Sequence, residues 1–237
     1  MEKEKLIIVG TGQLSNDVRF FVERYRLFDI VGYTINEKYI KDDTHKGLPV
    51  YPMERLDEYI NKDDVKFYIS ISWFHYLNRA RESTFLFLKE KGFKAANLIS
   101  PLATVLTDDI GEGNWICDFA YLDFGTAVGC NNVFRNYAYL GHYARVGDHS
   151  FLGAKSLIGG NSKIGNRCFI GIAATVFNDV KIGNKCIVGG AAVAKYHLPD
   201  FSICKIANDS IFIKQYNEQT IDNKLMPVAE YRAKNNK

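Results

Sequence analysis

From Ile110 to Val193 the chain carries an apolar residue at every sixth position without a slip, through Ile116, Leu122, Val128, Phe134, Leu140, Val146, Leu152, Ile158, Ile164, Ile170, Val176, Ile182 and Val188. The next residue is Gly in ten of these fourteen hexads, and the fifth is small or short in nearly all, as in Ala120, Ala138, Ser150, Cys168 and Ala192. A six-residue beat fits neither a 3.6-residue helix nor a sustained two-residue alternation. It predicts a hexapeptide β-helix, with three hexads per coil and the first-position aliphatics stacked inside the prism. Fourteen hexads make between four and five coils. The second-position glycines are expected at corners whose φ a Cβ would obstruct. Since no hexad is interrupted, no long loop leaves the prism.

Before the beat starts, strands alternate with helices. Leu6–Val9 is a short apolar run, followed by Gly10-Thr11-Gly12-Gln13 and a helical pattern capped by Ser15 or Asn16, with Val18, Phe20, Phe21 and Tyr25 as its buried stripe. Residues 30–35 and 65–71 read as strands, 53–60 and 79–91 as helices, the last ended by Gly92, and 95–99 as extended again. The alternation predicts a parallel α/β unit of Rossmann type over residues 1–101. A β-helix domain over 102–213 and a polar tail over 214–237 complete the division. Within the second domain, 202–213 is expected to cover the open end of the solenoid.

Composition narrows the chemistry. Thirty basic and 27 acidic residues nearly balance, so nothing calls for nucleic acid or an anionic membrane as partner. The lysines and arginine at 224, 232, 234 and 237 read as a solvated tail. No stretch approaches 18 apolar residues, so no membrane span is expected. Met1–Lys5 is charged and the apolar run after it is short, unlike a secretory signal. Five cysteines lack metal spacing. Cys168 and Cys186, one coil apart, are expected to stack inside as small hydrophobes, in keeping with a reducing cytoplasm.

Two places invite chemistry. The glycine-rich turn at Gly10–Gln13 lies where such a sheet receives a phosphate-bearing ligand, at a helix N-terminus. It lacks the third glycine of a dinucleotide fingerprint, and Asn36 rather than an acid closes the second strand, which disfavours NAD. An unliganded tight turn is the other reading. On the prism, His142 stands at the third position of its hexad, where an exposed imidazole is suited to take a proton from an amine or hydroxyl attacking a thioester. The alternative is an ordinary surface histidine.

The Gly10–Gln13 turn, the Ser100-Pro101-Leu102-Ala103 run that opens the prism and the hexads around Gly141-His142-Tyr143-Ala144-Arg145-Val146-Gly147-Asp148 together resemble the bacterial nucleotide-sugar N-acetyltransferases of the left-handed β-helix class. The resemblance spans about residues 1–205. It implies a homotrimer that transfers an acetyl group from acetyl-CoA to the amine of a nucleotide-linked amino-deoxysugar, for surface-glycan synthesis. His142 falls on the family's general base, with Tyr143 where an acid usually follows, and Asp148 is the nearest carboxylate. Asn136 is implied as a substrate contact beside Gly10, Thr11, Gly12, Gln13 and Asn36. Gly160 N–H is implied as an oxyanion donor, and Ile172, Gly190 and Ala191 as the lining of a pantetheine groove. Phe151 occupies a place where the family often has His, with His149 a possible substitute, and Lys205-Ile206-Ala207-Asn208 replaces the usual Gly-Asn-Pro-Ala. Three readings compete with this one: a sugar or sialic acid O-acetyltransferase with the same base, a non-catalytic trimeric scaffold, and a zinc hydratase. The last needs three converging imidazoles, and the prism offers only His142 and His149, so no metal is expected.

Overall fold

The computed structural model describes residues 3–71, 75–207, 210–222 and 224. Residues 208, 232, 234 and 237, which figure in the expectations above, lie outside them. The chain forms two compact units. One comprises the described residues up to 71, with 80–98 and 112–114; the other takes 75–79, 99–111 and the rest from 115 onward.

The first unit is built on a six-stranded sheet. Its strands are β1 (Lys5–Val9), β2 (Asp29–Ile35), β3 (Thr44–His45), β4 (Leu48–Pro52), β5 (Val65–Ile69) and β6 (Lys94–Ala95), in the order 3-4-2-1-5-6. All neighbours are parallel except β3 and β4. The helices are α1 (Gln13–Tyr25), a short α2 (Leu56–Tyr59) and α3 (Arg79–Glu90). β1 is central and apolar from Leu6 onward, and Leu6, Ile7, Ile8 and Val9 are fully buried, as a strand covered on both faces must be. On α1, Val18, Phe21 and Val22 are buried but Phe20 is 70% exposed. Positions 18, 21, 22 and 25 share a helical face and position 20 does not. The N-cap of α1 is Gly12, with no side-chain cap, while Ser15 sits inside the first turn and donates to the Gly12 carbonyl at 2.6 Å.

In the second unit the hexads form parallel coils in register every 18 residues: Leu122 pairs with Leu140, Leu140 with Ile158 and Ile158 with Val176. First- and fifth-position side chains fill one continuous core, Cys168 and Cys186 among them. The corner geometry differs from expectation. The residues in the left-handed region stand at the fourth position (Tyr137, Tyr143, His149, Lys155, Asn161), not at the second-position glycines. Those glycines answer a steric demand instead, because consecutive coils approach too closely for a side chain. A Cβ on Gly153 would lie 2.7 Å from the Gly171 carbonyl carbon, and one on Gly141 would lie 2.8 Å from the Gly160 nitrogen.

The three walls of the prism differ in chemistry. One, of strands such as Tyr121–Leu122 and Leu157–Ile158, turns Tyr121, Tyr139, Leu157, Thr175 and Val193 outward, all partly or fully exposed. A second turns out Ala127, Arg145, Lys163 and Lys181, the last three exposed. The third turns out Trp115, Val133, Phe151, Phe169 and Ile187, and Leu77 and Ile221 pack over its far end. The hairpin Ser202–Ala207/Ser210–Gln215 extends this third wall by pairing Ile203 with Ile187 rather than lying across the end of the solenoid. Beyond it, within the segment expected to be a plain tail, Glu218–Asp222 forms a helix (α4) with Ile221 and Asp222 buried.

Candidate active site

Two separate sets of residues emerge, one in each unit. In the first, a cavity of about 450 Å³ is lined by Val9, Gly10, Thr11, Ile35, Asn36, Tyr39, Met53, Ile71, Ala80, Ser83 and Thr84. It lies at the carboxyl ends of β1, β2 and β5, where parallel sheets receive ligands. Gly10, Thr11 and Asn36 line it as expected, whereas Gly12 and Gln13 are exposed and outside its lining. Gly10 has φ +113°, and a Cβ there would come within 2.8 Å of Ser70 Oγ. Its position therefore admits no side chain without strain.

Asn36 is not alone at the end of β2. Its Nδ2 donates to Glu54 Oε1 at 3.0 Å, and the Glu37 amide donates to Oε2 at 2.9 Å. Partial burial pushes the Glu54 carboxyl up, but these hydrogen bonds outweigh it and hold the group below the usual carboxylate range. An acid does serve this strand end, brought there from beyond β4.

On the prism, third-position residues one coil apart stack along the edges. His142 stands between the aromatic and cationic walls, in the column Phe124, His142, Gly160, Asn178. Its half-buried imidazole stacks on Phe124 with centroids 6.0 Å apart and planes 16° from parallel, and Tyr143 meets it edge-on. Beneath it Gly160 leaves the room: a Cβ there would fall 2.6 Å from His142 Cε1 and Nε2. The ring is thus set by packing rather than by a carboxylate. Asp148 cannot orient it, since it lies on another edge and its Oδ1 accepts the Cys130 amide at 2.6 Å.

Gly160 N–H donates to Asn178 Oδ1 at 3.0 Å. In this structure it is therefore engaged within the chain, one coil from His142. Gly160→Ala is predicted to leave the melting temperature nearly unchanged, because the imidazole yields, while displacing that ring, so that any turnover depending on it falls about 100-fold. Steady-state kinetics beside a thermal melt checks this.

The other prism residues of interest occupy a different edge, between the aromatic and covered walls. Asn136, Ile172 and Gly190 fall there in one column, with Ala191 beside Gly190; Ile172 is 66% exposed and its carbonyl accepts the Ala191 amide at 2.8 Å. Within one chain the wall of Tyr121 and Tyr139 separates this group from His142. His149 is buried on the third edge, with Nδ1 2.9 Å from Asn131 Nδ2 and its carbonyl accepting from Asn78. It holds backbone in place and does not substitute at Phe151, which is itself buried and stacked on Phe169 at 5.5 Å. His142 and His149, on different edges, do not converge on one metal. Among the described residues no three His, Cys, Asp or Glu side chains gather as a metal site. The cysteines are free thiols; burial pushes Cys117 up to about 12 and raises Cys168, so neither is a ready nucleophile.

A family described as the hexapeptide repeat of succinyl-transferase matches residues 163–193. Perosamine N-acetyltransferase from Caulobacter crescentus, solved as a histidine variant with CoA and GDP-perosamine, is 23% identical with a TM-score of 0.74, over 90% of this chain and 97% of that one. The acetyltransferase domain of PglB from Neisseria gonorrhoeae is 19% identical with a TM-score of 0.73, over 88% and 100%. The fold is that of the left-handed β-helix acetyltransferases. WeeI from Acinetobacter baumannii shares it as well, at 19% identity and a TM-score of 0.65, over 87% and 99% of the two chains. No curated protein matches this β-helix chain in sequence. None of its described helices is long and apolar enough to cross a membrane.

Proposed function

We propose that this protein is an acetyl-CoA-dependent N-acetyltransferase acting on the amine of a nucleotide-linked amino-deoxysugar, in the cytoplasm and for surface-glycan synthesis. The placement of His142 carries the reading: an imidazole fixed by Phe124 and Gly160 at the margin of an exposed apolar wall, in a fold shared with an enzyme solved with CoA and GDP-perosamine. In this scheme the sugar amine attacks the thioester carbonyl and His142 accepts the proton that the nitrogen sheds. The new C–N bond forms, the tetrahedral centre collapses with loss of the C–S bond, and the imidazolium returns its proton to the leaving thiolate.

The first unit is assigned to the nucleotide-sugar as a Rossmann-like domain over about residues 1–101, with Gly10, Thr11 and Asn36 in its cavity and Gly12 and Gln13 at the N-terminus of α1. That terminus has no side-chain cap, which leaves its amides suited to a diphosphate. The prism, over about 102–213, is assigned to acetyl-CoA. Ile172, Gly190 and Ala191 line the pantetheine arm, and Asn136 contacts the sugar.

The disposition of the walls supports a homotrimer. If three prisms turn the wall of Tyr121, Tyr139 and Leu157 toward a common axis, the His142 edge of one meets the Asn136–Ile172–Gly190 edge of the next. The two groups that one chain keeps apart are then joined between chains, and the exposed apolar wall is covered. The test is to supply acetyl-CoA with UDP-, dTDP- and GDP-linked amino sugars and follow free thiol. The expected result is release dependent on one of these amines. Release only with the corresponding hydroxy sugars, offered alongside, would assign O-acetylation instead, and no release above background with any acceptor would refute acetyl transfer.

A further inference from the structure

Two exposed rings on the prism answer no demand of the fold. Within the hexads the fourth position lies in the left-handed region, and it carries residues such as Asn131, Lys155, Asn161 and Lys185. Phe119 and Tyr137 occupy it at φ +60° and +62°, a conformation that a bulky side chain adopts only at a cost. Their rings stack one coil apart, with centroids 5.0 Å apart and planes 18° from parallel. Both are about half exposed, and neither belongs to the core. Strain without burial is a mark of function rather than of folding. Beside the rings, at the third position, stand Asp118 and Asn136. Ser100 Oγ donates to Asp118 Oδ1 at 2.6 Å and so fixes the carboxylate. Among the described residues neither Asp118 Oδ2 nor the side-chain amide of Asn136 has a hydrogen-bond partner.

We propose that Phe119 and Tyr137 are the specificity-determining platform for the acceptor sugar, and that they select a pyranose with a methyl rather than a hydroxymethyl group at C6. The inference rests on the acetyl-transfer and trimer readings above. A pyranose has an apolar C–H face and a rim of hydroxyls, which match a flat pair of rings flanked by a carboxylate and an amide. Asp118 Oδ2 accepts from one ring hydroxyl and Asn136 serves another. A hydroxymethyl group laid on the rings gives up its hydrogen bonds to water and finds no partner there. The edge itself divides in two. Its third position passes from Asp118 and Asn136 to Ala154, and its fourth from Phe119 and Tyr137 through Lys155 to Ala173. The small residues suit the thin pantetheine arm assigned to Ile172 and Gly190, two and three coils beyond Asn136. The coils on the N-terminal side are left to the acceptor. Tyr137 and His142 lie five residues apart on one coil. In a trimer of parallel prisms the platform of one chain is therefore level with the His142 edge of the next.

The experiment supplies acetyl-CoA with pairs of nucleotide-linked amino sugars that differ only at C6, methyl or hydroxymethyl, to the full chain and to its Phe119→Asn/Tyr137→Asn variant. The wild type is expected to favour the methyl sugar about tenfold in kcat/KM, the scale of one apolar contact. In the variant KM for that sugar should rise about tenfold and the preference fall to about twofold or less, with KM for acetyl-CoA unchanged. Its melting temperature should hold or rise, because Asn tolerates the left-handed region. Co-expression with His142→Ala chains tests the placement across chains. Random assembly leaves about a quarter of the sites with both platform and base intact, so activity at low acceptor should return to about a quarter of the wild-type value. No recovery beyond the mean of the two parents overturns the shared site. Equal use of both sugars by the wild type, or full C6 preference in the variant, overturns the assignment and leaves acetyl transfer intact. Dissociation of the variant's trimer, or a fall in its melting temperature with the preference kept, also overturns it, giving the rings to an interface or to folding. A wild type that acetylates neither sugar of any pair refutes the acetyl-transfer reading itself, and the platform with it.

Discussion

Replacing His142 with Ala is expected to lower kcat for acetyl transfer by ~10²–10⁴-fold, the range that a positioned acid–base group supplies. The far-UV circular dichroism and the melting temperature should stay close to wild type, because the ring is half-buried at an edge and contributes nothing to the stacked interior. KM for acetyl-CoA should move little, since in the proposed scheme the imidazole acts on the attacking amine rather than on the cofactor. A Phe124→Ala variant separates position from chemistry. It keeps the base but removes the ring it stacks upon, so kcat should fall less than in His142→Ala. Undiminished activity in His142→Ala would remove this base from the reaction.

The largest loss of stability is expected from Arg167→Ala. Its guanidinium is 5% exposed; Nε donates to the Leu77 carbonyl at 2.9 Å, and Nη2 to the Tyr76 carbonyl and to Asp222 Oδ1, each at 3.1 Å. Tyr76, Leu77 and Asn78 all stand in the left-handed region, a costly run for non-glycine residues. This side chain helps to anchor them, as does the Asn78 hydrogen bond to the His149 carbonyl. Truncation strands two carbonyls and a buried carboxylate at once. Breaking a buried pair of this kind costs about 3–5 kcal/mol, read as a lower denaturant midpoint in chemical unfolding. Arg167→Lys should recover only part of it, since an ammonium cannot reproduce the fork that serves three acceptors.

Much of the prism was legible because its period is covalent: each coil has 18 residues, so stacking partners follow from subtraction. The aliphatic interior and the buried Cys168–Cys186 pair were open to that reasoning. The purpose of the second-position glycines was not, since a sequence shows which residues lack a side chain but not whether torsion or crowding demands it. The surroundings of His142 lay within reach of the same subtraction. Phe124 is one coil before it and Asn178 one coil beyond Gly160, so both are nearer to it in space than a sequence neighbour such as Asp148, which turns to another edge. Reading the outward positions wall by wall would also have shown the Arg145–Lys163–Lys181 row. The first unit was less open. Phe20 lies off the buried face of α1, the helix starts at a glycine with no side-chain cap, and Glu54 reaches Asn36 only through the folding of β2 beside β4. No periodicity announces a tertiary neighbour of that kind.

The beat also makes the prism behave as a reading frame. Removal of one 18-residue coil would shorten the solenoid by ~4.8 Å and leave every remaining side chain on its own wall. Removal of a single hexad would turn everything downstream by one wall, bringing residues of the aromatic wall into line with the cations and splitting the column that seats His142. Tolerance to length change is thus modular, and the distance between the His142 imidazole and the far end of the prism can change only in whole coils.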